Sequence, residues 1–232
     1  MIDVKGLYKI QNSLPDPRIG YFDYTFDDLD TSLGNRIEVI CGVADVIAYW
    51  DGGILRFSRD EKKTIPSALF NPANTILQNF RSSYELNLPR GYDGIELKFV
   101  NPDNNKFDFI YYKIVNGVIS KGYSEKPMKI NLIGCRDKYQ AEQRAIKEAR
   151  KLLYSRKTVQ IRTFGEAETL PMGALVLYAD ILNTDYITGY VNSINGDKIG
   201  VNEKITLTSG KISISKKTER SLLQRSQNNL IL

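Results

Sequence analysis

The 232 residues include no histidine, so any chemistry would fall to carboxylates, amines, hydroxyls and two thiols. Without imidazole there is no Ser-His-Asp triad, no Cys-His dyad and no histidine-containing zinc site. Asp23, Asp27, Asp28 and Asp30 form an acidic cluster that could attract a hard cation. They lack the Asp-x-Asp-x-Asp-Gly spacing of a calcium loop, and carboxylates near a helix start are commonplace. Glu166 and Glu168 could pose as the carboxylate pair of a glycosidase, but no partner or sugar-stacking platform surrounds them, so they read as loop residues. Gly52-Gly53 has no downstream lysine at the spacing of a phosphate loop. Cys41 lies in an apolar helical pattern and Cys135 at the end of an apolar strand, where free cysteine acts as a small hydrophobe. No catalytic, cofactor-binding or metal-ligating residue is assigned, and the chain is expected not to be an enzyme.

Basic residues outnumber acidic ones 32 to 27, a net charge of +5 with a sequence pI near 9.0. Residues 1–120 carry 13 basic and 16 acidic side chains, a net of −3, whereas 121–232 carry 19 and 11, a net of +8. Lys138, Arg144, Lys147, Arg150, Lys151, Arg156 and Lys157 could meet phosphates from one helix face. Glu142 and Glu148 interrupt that face and no stacking aromatics accompany it, so it reads as a solvated helix surface. Nucleic acid is not the expected partner. The charge polarity instead suggests two surfaces with different neighbours.

The elements that position these groups follow from periodicity. Ile37, Ile40, Cys41, Ala44, Ile47 and Ala48 recur at helical spacing and predict a buried helix over about 35–49. Asp51-Gly52 then supplies a hairpin turn. Upstream, Pro15, Pro17 and Gly20 mark a loop leading to an aromatic alternation, Phe22, Tyr24 and Phe26, that predicts a strand. Pro66 and Asn71-Pro72 predict an ordered loop over 62–75. Phe80, Ser82 and Tyr84 alternate, as do Ile95, Leu97 and Phe99. After the turn at Asn101-Pro102, residues 107–115 carry apolar groups on both faces and predict a strand covered on two sides.

Following a strand over 129–133, Asp137 and Gln140 resemble a capping box opening a helix over 138–156. Ala141, Ala145 and Ala149 form a stripe suited to close packing. Beyond it the pattern is β: Val159, Ile161 and Thr163, then Leu175 and Leu177, then hairpin signals at Asn195-Gly196 and Ser209-Gly210. The expected fold is α+β and mostly antiparallel, with two main helices and a small C-terminal β-barrel-like meander. The expected domains are 1–88, 89–217 and a flexible tail over 218–232. The N-terminus lacks a secretory pattern, and no window approaches the ~18 apolar residues of a membrane span. A soluble product made in the cytoplasm is expected.

One ordered set of motifs is more specific. PRGYDGIELKF (89–99) is followed by INLIGCRDKYQAEQRAIKEARKLLY (130–154) and TVQIRTFGEAETLPMGALVLYAD (158–180). This order resembles the tail-tip, or tip attachment protein J, family of long-tailed bacteriophages. Gln140-Ala141, Arg144-Ala145 and Ala149-Arg150-x-Leu152-Leu153 match the family's helix. Leu170-Pro171-Met172-Gly173 stands at its Pro-Gly-Asp turn, with an extra methionine and with alanine in place of the acid. Thr188-Gly189-Tyr190-Val191, Asn195-Gly196-Asp197 and Ile205-Thr206-Leu207 resemble its meander, and Ile40-Cys41 with Tyr49 to Arg56 its helix-plus-hairpin segment. The resemblance covers residues 24–215.

It implies a piece of the tail hub at the distal end of the tail tube, in the virion. Self-association as a trimer and docking of other tail proteins are implied, with no cofactor and with receptor recognition outside these residues. Two other readings stay open: a cell-wall-acting hydrolase module using Glu166, and a nucleic-acid contact through the basic half.

Overall fold

The computed structural model describes residues 1–27, 30–59, 61, 63–76, 80–84, 88–155, 157–164, 169–179, 186–195, 198–203, 207–208 and 211–212. The fold is α+β, as expected from the sequence. Two apolar cores organise it.

The first core joins a helix to a four-stranded sheet. Strands β5 (Gly94–Asn101), β6 (Lys106–Val115), β7 (Val118–Lys121) and β8 (Pro127–Asn131) lie in the order β7-β6-β5-β8, with β5 and β8 parallel and the other pairs antiparallel. Helix α3 (Lys138–Tyr154) covers one face. It starts where Asp137 accepts the Gln140 backbone N–H at 2.8 Å. Its alanine stripe is fully buried, packed in one cluster with Ile95, Leu97, Phe99, Ile110, Tyr112 and Ile114. Small side chains let the helix sit close to the sheet, so the contact is made by the sheet's large residues.

Asp93, just before β5, accepts the backbone N–H groups of Glu125 and Lys126 at 2.9 and 2.7 Å and so fixes the lead-in to β8. Desolvation pushes its carboxyl up, but these hydrogen bonds outweigh it and hold the pKa below the usual carboxylate value. A depressed carboxylate adds stability that is present above its unfolded pKa, near 4, and is lost as pH falls through the lower folded value. Asp93→Asn is therefore expected to flatten the acid limb of a stability–pH profile below about pH 4, as followed by urea midpoints at several pH values. An unchanged acid limb would assign the acid sensitivity to other groups.

The second core belongs to a six-stranded sheet ordered β3-β10-β11-β12-β9-β4. Its strands are β3 (Ala68–Phe70), β4 (Arg81–Tyr84), β9 (Lys157–Arg162), β10 (Leu175–Ala179), β11 (Tyr186–Asn195) and β12 (Lys198–Glu203). Phe70, Val159, Ile161, Val176, Tyr178, Val191, Ile199 and Val201 are buried together. Strands β10, β11 and β12 form the expected meander. The described strands make an open sheet with β3 and β4 at its edges. A register shift between Val191 and Ser193 marks a bulge in β11. A two-stranded ladder, β13 (Leu207–Thr208) with β14 (Lys211–Ile212), brackets Ser209-Gly210. The tail over 218–232 lies outside the described residues.

Four sequence expectations are corrected. The helix expected over 35–49 is α2, Leu33–Val43, and Val46–Asp51 is strand β1, which forms a hairpin with β2 (Ile54–Arg59). Asp45 takes a φ of 57°, which ends the helix, and the apolar run Val46-Ile47-Ala48 then pairs across the hairpin. Phe22, Tyr24 and Phe26 form no described strand; their rings pack on one another at centroid distances of 5.1–6.5 Å. The loop expected over 62–75 contains β3, where Phe70 is buried and Ala68–Phe70 pair in parallel with Val176–Tyr178. Among the described elements, helix α3 covers one face of β6, and Phe107 and Phe109 on the other face are exposed.

An unexpected helix, α1 (Val4–Ser13), is capped by Asp3, whose carboxylate accepts the Gly6 N–H at 2.9 Å. No helix among the described residues is long and apolar enough to cross a membrane.

Candidate functional site

Three of the seven residues that sequence reasoning placed on a solvated basic face, Arg144, Lys147 and Lys151, are built into a seam between α2 and α3. Asp45, in the turn after α2, meets Arg144 at 2.9 Å, Lys151 at 3.5 Å and the Lys147 ammonium. Glu148 meets Arg144 at 3.0 Å and Lys151 at 3.1 Å. Arg144 Nη1 also donates to the Gly42 carbonyl at 2.8 Å, satisfying a carbonyl at the C-terminal end of α2 where positive charge is favoured. The side chains of Asp45, Arg144 and Glu148 keep only 12–18% of their surface exposed. Pairs so withdrawn from water fix geometry more than they add net stability. Here they set the position of α2 against α3.

Of the remaining candidate basic residues, Lys138 and Arg150 are exposed, Lys157 lies in β9, and Arg156 is outside the described residues. The described residues of the seven therefore do not make one continuous phosphate-binding face. Sequence reasoning missed Asp45 because the helical pattern ran through it. The available signal was its type: aspartate tolerates positive φ better than most residues.

A second junction ties the N-terminal segment to the start of α3. Gln140 is buried, and its amide donates to the carbonyls of Ile19 and Tyr21 at 2.6 and 3.0 Å. Its oxygen accepts from the Cys135 thiol at 3.3 Å. The expected capping box is thus half realised: Asp137 caps, while Gln140 reaches away from the helix to the loop. Next to this junction the chain folds tightly, with the Asp23 N–H donating to Gly134 O at 2.9 Å. Gly134 has a φ of 88°, and a Cβ there would lie 2.5 Å from the Phe22 ring. A cavity of about 590 Å³, lined by Tyr21, Phe22, Asp23, Gly134 and Arg136 among others, opens beside it.

The other sequence candidates do not converge. Asp23 pairs with Arg136 at 3.4 Å, and Asp28 lies outside the described residues. No group of three or more metal-ligating side chains occurs among the described residues. Glu166 and Glu168 lie outside the described residues. Both cysteines are free and buried. Desolvation raises the Cys41 thiol and pushes Cys135 up to about 11. Both thiols are therefore expected to resist a thiol-reactive disulfide reagent at pH 8 in the folded protein and to react promptly in denaturant. Rapid native-state labelling of Cys135 would contradict its burial.

No protein-family model matches the chain. No curated protein matches it. Among solved structures, the chain is similar to a tail protein from Neisseria meningitidis MC58, at 10% identity and a TM-score of 0.45 over 87% of this chain and 66% of that one. It is similar to the 43 kDa tail protein of prophage MuSo2 from Shewanella oneidensis, at 11% identity and 0.41 over 77% and 54% of the two chains. A third likeness is to a chain in the virion of a native gene transfer agent particle, at 13% identity and 0.43 over 65% and 33%. The chain spans between one third and two thirds of the length of these three proteins.

Proposed function

We propose that this chain is a non-enzymatic component of a phage or prophage tail. Its place is the tail-tip hub, where it assembles the distal end of the tail tube with copies of itself and docks other tail proteins. The observation that carries this reading is the ordered set of family-like motifs across residues 24–215, together with the tasks those residues perform. Ala141, Ala145 and Ala149 seat α3 on its sheet, and Leu152 and Leu153 are buried with them. Arg144 ties α3 to the end of α2. In Leu170-Pro171-Met172-Gly173, Gly173 takes a φ of 72°, which suits glycine in a tight turn leading into β10. The motifs describe scaffolding rather than chemistry, which is what a load-carrying ring component needs.

Assembly requires surface left over by the fold. The β1–β2 hairpin is a two-stranded sheet against which α1 and α2 pack. It carries Trp50, the chain's single tryptophan, at 70% exposure, and the exposed Ile2 is bridged to Leu55, the residue opposite Trp50. These residues are the docking surface of the proposal. The isolated chain is expected to be monomeric at low micromolar concentration and to form a weak trimer on concentration. Sedimentation equilibrium with Trp50 emission tests this: in the wild type association should shift the emission to the blue, and Trp50→Ser should abolish association in sedimentation while leaving thermal stability within about 0.5 kcal/mol. Release of peptidoglycan fragments by the purified chain, lost in Glu166→Gln, would instead establish the hydrolase reading.

A further inference from the structure

The outer face of the four-stranded sheet carries an array that none of the preceding assignments uses. Side chains alternate along β6, so Ile110, Tyr112 and Ile114 face α3 while Phe107, Phe109, Tyr111 and Lys113 point the other way. Phe109 and Tyr111 lie side by side with ring centroids 6.2 Å apart and planes within 21°. The Tyr123 ring adjoins Tyr111 at 4.1 Å and is 76% exposed. Cross-strand neighbours bring lysines into the same rows: Lys98 opposite Phe109, and Lys129 beside Glu96, which is itself opposite Tyr111. Lys98 places its ammonium 3.6 Å from the centroid of Phe107. Two carboxylates act on Tyr111: Glu96, which is 3.8 Å from Lys129, and Asp108, whose side chain accepts the Phe109 backbone N–H at 2.8 Å.

We infer that this face binds single-stranded nucleic acid, with Phe109, Tyr111 and Tyr123 stacking on bases and Lys98, Lys113 and Lys129 meeting the phosphate backbone. Rings at alternate positions of an exposed strand, flanked by amines, combine stacking with a basic track, the two requirements of sequence-tolerant single-strand binding. The lysines decide between this occupant and a protein partner. Lysine is depleted from the buried centres of protein interfaces, whereas here it stands in the same rows as the rings. A polyanion with flat faces complements both features. Three ring positions along one strand and its neighbouring loop fit about three nucleotides. This inference does not depend on the tail reading.

The test is fluorescence anisotropy of a labelled ten-nucleotide deoxythymidine strand titrated with the full chain. Binding is expected at 50 mM NaCl. It should weaken about 20-fold at 200 mM, the change that three phosphate contacts on a single strand give. The paired substitution Phe109→Ala with Tyr111→Ala should weaken it at least about tenfold, with the circular dichroism spectrum unchanged because both rings lie on the outer face. A duplex of the same length should bind more weakly than the single strand. No binding at 50 mM NaCl would overturn the inference. So would equal affinity for the duplex, or an affinity untouched by loss of both rings, since either assigns binding to charge elsewhere. Loss of self-association in the ring variant, without any oligonucleotide binding by the wild type, would make the face a protein interface instead.

Discussion

Asp45→Asn is expected to lower the unfolding free energy by about 3 kcal/mol, the lower end of what removing one partner from a buried ion pair costs. Asparagine tolerates the positive φ at this position, so the substitution removes charge without adding backbone strain. What remains is three cations, Arg144, Lys147 and Lys151, gathered around a neutral amide, with Glu148 still paired to Arg144 and Lys151. Lys147 and Lys151 keep about a third of their surface exposed, at 30% and 37%, and water relieves part of the cost, which places the value at the low end. A urea titration should show a lower midpoint with an unchanged slope. Arg144→Met should cost a similar amount, and the double variant distinctly less than the two together. Additive effects would mean that the seam does not couple α2 to α3.

Ala145→Leu is expected to be similarly severe, at about 2–3 kcal/mol. Ala145 has no exposed surface, and it faces a cluster already filled by large residues from β5 and β6. Leucine adds three carbons where close packing leaves no room, so α3 must lift from the sheet or the rotamers around it must strain. For a chain of this size the midpoint of thermal unfolding should fall by roughly 5–10 °C. Arg150→Leu, on the exposed face of the same helix, serves as the control and should change stability by less than about 0.5 kcal/mol. If both variants melt alike, the alanine stripe is not the seat of the helix.

Much of the framework was legible in the sequence because one period dominated each segment. The α3 stripe, its Asp137 cap, the alternation in β5 and the hairpin signals around β11 and β12 each agree between local propensity and tertiary packing. The failures lie where a local signal met a tertiary competitor. The helical pattern of 37–48 ran past Asp45, where a single positive φ turned the last apolar residues into a hairpin strand. Strand β3 was hidden between Pro66 and Pro72 because its three residues gain their stability from pairing with β10, more than a hundred residues away.

The site was less legible than the fold. Arg144, Lys147 and Lys151 read as solvated because their partner Asp45 lies on another element, and no pattern within one helix reveals a partner 99 or more residues distant. Composition gave strand β6 apolar groups on both faces, but it could not show that only one face receives a helix. The opposite face, with Phe107, Phe109 and Tyr123 exposed, is the surface on which the nucleic-acid inference rests.

The tail-hub reading is tested most directly by locating the chain in particles. Particles from cells that produce it with a small epitope tag, labelled with gold-conjugated antibody and viewed by negative-stain electron microscopy, should carry gold at the distal end of the tail. Gold along the whole tail, at the head, or absent from particles while the chain sits with the cell wall would contradict it.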